Sequence, residues 1–209
     1  MSAATASTKL RRSENKEAKG LAVSIAILEI IESEGLLGVT HSKVARKSKV
    51  SRAWIYEYVG KEKVALIEFG ADFFAGHFAR TNLTALPQSK DELEMRLHEG
   101  MQYLFDSVES NPVIIKLFFR FRGSANVVGK IIQKHEKQWM KAATETIQKV
   151  VGLPDVEASL LAELVLTLRL GFAHRVASTT NSHQARVSAE NIFAMIHGLL
   201  AETTGTISN

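Results

Sequence analysis

The sequence predicts an all-α fold, and three observations carry that reading. Apolar residues recur at spacings of three and four along most of the chain, the mark of helices with one buried face. Only 3 prolines and 13 glycines punctuate 209 residues, too few for a chain built of short strands and turns. No segment shows a convincing period of two, and no internal repeat or low-complexity tract stands out.

The elements follow in order. Leu21, Ile25, Leu28 and Ile31 sit at helical spacing and Gly35 is a stop signal, so the first helix covers about 19–34. Thr40 offers an N-cap oxygen to a short helix at about 41–47, with Val44 and Ala45 inward. After a break at 48–50, Ser51 caps a third helix at about 52–58. A longer helix runs from Lys61 to about Thr81, with Leu66, Phe69 and Phe73 on one face. Ser89 followed by Glu92 is a capping box, which starts a helix ending near Glu109. Pro112 opens the next at its first position, where a missing N–H costs nothing, and Gly123 ends it. Helices at about 125–151, 155–179 and 183–203 complete the chain, with Gly152 closing the first of these.

Composition excludes several classes. Without cysteine there is no disulfide framework, thiolate zinc site, iron–sulfur cluster or cysteine nucleophile. No uncharged apolar stretch reaches the ~20 residues that span a bilayer. The opening MSAATASTKLRRSENKEAKG lacks the apolar region of a signal peptide and reads as a flexible, polar leader over 1–18. These features place the protein in the cytoplasm with no membrane partner.

The charge is unevenly spread. Residues 1–60 hold ten Lys and Arg against six Asp and Glu, whereas the remainder holds sixteen of each. The whole net charge of +4 therefore lies in the first 60 residues. Within 41–63, seven basic residues face only Glu57 and Glu62. Such a field suits a polyanion, and equally a solvated surface, so charge alone leaves both readings open. Short helices at 41–47 and 52–58, joined by three or four residues, add the spacing of a helix-turn-helix.

The run Thr40-x-x-x-Val44-Ala45-x-x-x-Lys49-Val50-Ser51-Arg52-Ala53-Trp54-Ile55-Tyr56-Glu57-Tyr58-Val59-Gly60-Lys61-Glu62 resembles the DNA-binding head of the TetR family of transcriptional regulators. That resemblance implies about nine helices, a homodimer, and a helical body that responds to a ligand. It divides the chain into a helix-turn-helix head at 19–60 and a ligand-binding and dimerisation domain at 61–209. It also sets Thr40, Ser42, Lys43, Ser51, Arg52, Ala53, Trp54, Tyr56, Tyr58 and Lys61 at the DNA. Ser51 and Arg52 then open the recognition helix, and Arg52 can take a guanine bidentately. Tyr56 and Tyr58 would touch the backbone, and Lys61, at the start of the next helix, would clamp it. Trp54 is a groove reader or a lid on the small core, and Tyr56 a contact or a packed ring. Lys49 stands where the family usually carries glycine. Either the turn there differs, or Lys49 accepts a left-handed backbone at a cost on the order of 1 kcal/mol.

In the body, large side chains line the middle helices, most of them as core. A pocket for a small, largely apolar effector would draw on Phe73, His98, Gln102, Tyr103, Phe118, Arg120, Trp139, Arg169 and His174. Arg169 is the sharpest of these, because Leu164 to Leu170 is otherwise apolar apart from Thr167. A buried arginine needs a partner, an internal carboxylate or an acidic ligand. Leu161, Leu164, Val165, Leu168, Phe172 and Val176 form one stripe, and Ile192, Ile196 and Leu199 another. The resemblance implies that this helix pair docks on its twin.

No enzyme is expected. His98-Glu99 and His135-Glu136 begin like H-E-x-x-H, but Gln102 and Trp139 stand where the second histidine belongs. No Walker loop, dinucleotide fingerprint or G-x-S-x-G occurs, and no metal or cofactor is expected. The sequence therefore predicts a sequence-specific DNA-binding regulator, a repressor acting on a pseudo-palindromic operator. The alternative is a helical interaction protein whose basic head meets an acidic protein or membrane surface.

Overall fold

The computed structural model describes residues 3–79 and 87–206, with side chains over 15–73, 75–76 and 87–195. Among these residues the chain forms nine helices and no strand. They are α1 (Ala3–Gly38), α2 (His41–Ser48), α3 (Arg52–Tyr58), α4 (Lys63–Ala79), α5 (Lys90–Ser110), α6 (Val113–Phe121), α7 (Val127–Val151), α8 (Asp155–Ser178) and α9 (Ser182–Thr206). No helix among the described residues is long and apolar enough to cross a membrane.

Most ends fall where local chemistry sets them. The hydroxyls of Thr40, Ser51 and Ser89 accept from the third residue of their helices, at 3.3, 3.3 and 3.1 Å. Glu92 completes the capping box by accepting from the Gln88 N–H at 2.7 Å. Gly123 and Gly152 take the left-handed backbone, φ 77° and 82°, just past α6 and α7.

Two boundaries differ from expectation. Helix α1 begins at Ala3, so the leader is helical. Its residues are mostly good helix formers, and nothing breaks them before Gly20. A kink at Gly35, φ 71°, interrupts the helix near its end. Helix α4 begins at Lys63 rather than Lys61, because Gly60 at φ 131° turns the chain and the Glu62 carbonyl accepts from Leu66. The expected end of α4 at Thr81 lies outside the described residues.

The chain packs as two compact units, residues 1–80 with 116–139, and residues 81–115 with 140–209. Residue 60 is thus not a boundary between units. Helix α4 packs on α1, and a Cβ at Gly70 would come within 2.5 Å of Ile27, so only glycine permits that approach. The first unit's core holds Val23, Ile27, Ile31 and Leu66, and Val39, Val44, Val50 and Ile55 seal its short helices. Burying a side chain of this size contributes about 1.5–3 kcal/mol. His135 reaches Asp72 at 2.9 Å, tying α7 to α4.

In the second unit α8 packs on both α5 and α9. Its inner face is Ala158, Ala162, Leu166, Arg169, Leu170, Ala173 and Val176. Val176, expected on the outer stripe, is only 2% exposed and belongs to this core. The small alanines at 158, 162 and 173 let the neighbouring helices close in, which draws this face inward rather than the leucine-rich one. Arg186 braces α9 to α5. It reaches Asp106 at 2.7 Å and Glu109 at 3.3 Å, and donates to the Gln102 carbonyl. Burial alone would lower its pKa, but the hydrogen bond to Asp106 and the charges of Asp106, Glu109 and Glu190 outweigh that and raise it.

Candidate nucleic-acid interface

Helices α2 and α3 are joined by Lys49, Val50 and Ser51. Lys49 is the single non-glycine residue with positive φ among the described residues, at φ 57° and ψ 23°. The turn does not differ from the left-handed form, so lysine carries the strain that glycine would avoid. The Ser48 hydroxyl accepts from the Val50 N–H at 3.2 Å and steadies the turn. Val50 is buried, which pins α3 against α2.

None of the ten residues expected at the DNA is buried. Thr40, Ser42, Ser51, Arg52, Ala53, Tyr58 and Lys61 are exposed, and Lys43, Trp54 and Tyr56 are half-buried. Tyr56 is both packed and hydrogen-bonded. Its ring lies 4.8 Å from that of His41, whose Nε2–H donates to the Gly60 carbonyl at 2.9 Å. Its hydroxyl accepts from the Arg52 guanidinium at 2.9 Å, one helical turn away. Arg52 is therefore held by a side chain whose ring packs on His41. Trp54 is half-buried and stacks on Tyr58 along α3, with ring centroids 4.8 Å apart.

The cations divide into two sets. Lys43 pairs with Glu34, and Lys47 with Glu29 at 2.9 Å, so α1 carboxylates already engage them. Lys63 donates to the Leu37 carbonyl at 2.8 Å and ties α4 back to the end of α1, past the Gly35 kink. Arg46, Lys49 and Lys61 are exposed and make no ion pair among the described residues. Lys61 precedes α4 by two residues, so its position is set by the Gly60 turn rather than by a helix N-terminus. By sequence Lys49 counts toward the basic charge of 41–63 and as a strained turn residue, but is not among the residues set at the DNA; its exposed position at the turn adds it to the candidate contacts. The glycine-like turn position was the available signal.

The nine residues expected to line an effector pocket fall in both units. In the first, Phe118 and Trp139 are buried core, Phe73 is half-buried, and Arg120 is exposed, reaching the Glu32 carbonyl at 3.5 Å. Arg120 points outward because α6 buries Ile114, Ile115, Leu117, Phe118 and Phe121 on its other face. In the second, His174 is exposed, Tyr103 is half-buried, and the Gln102 amide donates to Glu190 at 2.6 Å as part of the Arg186 brace. Arg169 is 3% exposed, and its guanidinium donates to the Gly100 carbonyl at 3.3 Å. Desolvation lowers its pKa to about 10. A groove of about 600 Å³ between α5 and α9 is lined by Met95, Leu97, His98, Met101 and Phe193, with Asp91, Glu94 and Glu190 among its polar residues. Of the expected pocket residues, His98 alone lines it.

The expected dimer stripe is displaced outward. Leu164 is 47% exposed, and Leu161, Val165, Leu168 and Phe172 are half-buried. Val156 and Leu160 extend the same four-residue row, at 67% and 61% exposed. On α9, Val187, Ile192 and Met195 are exposed. Ile196 and Leu199 lie outside the described side chains. Among the described residues no cluster of His, Asp and Glu could hold a metal ion.

No family model matches the chain, and no curated protein matches its sequence. Solved structures do match its fold. A protein of Clostridium perfringens, provisionally named a fatty acid metabolism regulator, superposes with a TM-score of 0.62 at 16% identity, over 83% of this chain and 97% of that one. A transcription regulator of Shewanella, provisionally placed in the TetR family, gives 0.58 at 16%, over 84% and 95%. A fatty acid degradation regulator of Bacillus halodurans gives 0.55 at 12%, over 82% and 96%. With nine helices and no strand among the described residues, and a helix-turn-helix at α2 and α3, this chain has the fold of the TetR-family transcriptional regulators.

Proposed function

We propose that the protein is a DNA-binding transcriptional regulator that inserts α3 into the major groove. The observation that carries this is the Arg52–Tyr56–His41 chain: a guanidinium at the first turn of the second helix, held outward by a packed tyrosine. Arginine so presented suits bidentate recognition of guanine, and the exposed Arg46, Lys49 and Lys61 suit phosphates around it. Lys43 contributes to the phosphates by exchanging Glu34 for DNA, since exposed pairs are worth about 0–1 kcal/mol.

The protein acts as a homodimeric repressor, joined through the apolar rows of α8 and α9, so that two copies of α3 meet a pseudo-palindromic operator. An apolar effector bound by the body releases the operator by favouring another spacing of the two heads. Arg169 is the anchor for an anionic group on that molecule. Two structures of the same fold are named for fatty acid metabolism and degradation, which makes straight-chain carboxylates the first effectors to test.

The test is selection of duplexes from a random DNA pool by the purified protein at moderate salt. The expected result is enrichment of one pseudo-palindrome. Weak, salt-sensitive binding without enrichment would overturn specific readout and leave the basic head as a surface for another acidic partner.

A further inference from the structure

His41 is the first residue of α2, and its half-buried ring meets two different parts of the proposed interface. It lies against the Tyr56 ring, with the two planes tilted by 55° and centroids 4.8 Å apart. At its edge, Nε2 is 2.9 Å from the Gly60 carbonyl oxygen. A carbonyl only accepts, so Nε2 carries the proton and donates it.

Each contact leads on to a side chain proposed to meet DNA. Through Tyr56 it leads to Arg52, whose guanidinium donates to the Tyr56 hydroxyl at 2.9 Å and lies over that ring, 5.7 Å from its centroid. Through Gly60 it leads to Lys61. The Gly60 carbonyl and the Lys61 N–H share one rigid peptide plane, so a bond that fixes the carbonyl also fixes how the chain enters Lys61.

Gly60 is a position that needs fixing. It takes φ 131°, and a Cβ there would come within 2.9 Å of Ala65, so glycine is required and brings its backbone freedom with it. Its N–H donates to the Ile55 carbonyl at 3.0 Å, which ties one side of the turn to α3. His41 ties the other side to α2. Packing alone does not call for that donor. The buried Val44, Val50 and Ile55 already hold α2 and α3 together, and a plain aromatic ring at position 41 would cover Tyr56 as well.

We infer that His41 is a positioning residue for DNA binding: it sets Arg52 through Tyr56 and Lys61 through the Gly60 peptide, and so holds the base reader and the phosphate clamp in one fixed relation. The inference rests on the DNA-binding reading above and assigns to it a residue that acts through two others.

Two variants divide the ring's two contacts. His41→Phe keeps a ring against Tyr56 and removes the donor. His41→Gln removes the ring and keeps an N–H donor the same number of bonds from Cα. Each is titrated from about 50 to 250 mM salt on the selected duplex, and on one changed at the base pair whose preference Arg52→Ala relaxes. In His41→Phe the slope of log K against log salt should become shallower by up to about 0.9, the share of one phosphate, with discrimination between the duplexes unchanged. In His41→Gln the slope should hold, and discrimination should fall by roughly 2- to 10-fold, the worth of one hydrogen bond. Adding Lys61→Gln to His41→Phe should cost no further slope, because both act on the same contact. A third measurement needs no variant: nitrogen NMR of the wild-type imidazole should find the proton of neutral His41 on Nε2. Slope and discrimination lost together in both variants, no loss in either, or a proton on Nδ1 overturns the inference and leaves the DNA-binding reading intact. Wild-type protein that selects no site overturns both.

Discussion

The Arg52 guanidinium donates to the Tyr56 hydroxyl at 2.9 Å, so the side chain proposed to read a base is held by a residue one turn along its own helix. Two variants separate reading from aiming. Arg52→Ala should weaken operator binding by about 1–3 kcal/mol and relax base preference at one position. Tyr56→Phe keeps the ring against His41 and loses only the acceptor, so affinity should fall by roughly 2- to 10-fold, the worth of one hydrogen bond. In the double variant the two losses should not add, because once Arg52 is gone the hydroxyl of Tyr56 has nothing left to aim. Strict additivity in equilibrium titrations would exclude the coupling.

Lys49 combines a strained backbone with an outward charge, and Lys49→Gly acts on both. Stability should rise by about 0.5–1 kcal/mol in urea melts, as the left-handed turn passes to a residue without a Cβ. Duplex binding should weaken together with a salt slope shallower by about 0.9. A variant that binds as tightly as the wild type would remove Lys49 from the interface.

Leu164 stands in the middle of the exposed row on α8. Leu164→Glu places a carboxylate where the proposed dimer would desolvate it, so association should weaken by about 2 kcal/mol or more. Sedimentation velocity should show monomers with unchanged helix content, and operator affinity should drop with the loss of the second head. A dimer of wild-type stability would move the interface elsewhere.

Arg169→Met tests the anchor for an acidic effector. A ligand at 100 times its Kd stabilises the folded state by about 2.7 kcal/mol, roughly 5–10 °C for a chain of this size. Straight-chain carboxylates should raise the melting temperature of the wild type by that order and leave the variant unmoved. Operator affinity without ligand should be the same in both. An equal shift in the two proteins would assign the effector to other residues.

Glu92 gives a pH dependence with a definite sign. The hydrogen bond from the Gln88 N–H, then that from Arg96, lowers its pKa below the ordinary value of 4.5. A carboxyl whose pKa is lower folded than unfolded stabilises above the unfolded pKa and loses that contribution as pH falls through the folded one. Glu92→Gln should therefore melt below the wild type at pH 7, and the gap should close as the pH drops below about 4. A gap that persists at pH 3 would mean the charge at Glu92 does not matter to the cap.

Much of the fold is legible in the chain itself, because its signals act over three or four residues. Thr40, Ser51 and Ser89 cap the helices they precede, and Gly123 and Gly152 end the ones they follow. Helix-turn-helix spacing and the outward position of Arg52 could be read in the same way. The charge excess of the first 60 residues could also be counted, though the leader that carries part of it reads as flexible and is helical.

Only the tertiary structure decided which groups are spoken for. Lys43 meets Glu34, Gln102 joins the Arg186 brace, and Lys16 covers Tyr58, pairings between residues 9, 84 and 42 positions apart that no local pattern encodes. The choice of face on α8 is of the same kind. Its leucine-rich stripe is the more apolar by sequence, yet the alanine face is buried, because close approach of α5 and α9 depends on small side chains as much as on greasy ones. Sequence determines where a helix starts, stops and turns apolar; packing determines which of its faces is left over to meet DNA, a ligand or a second copy.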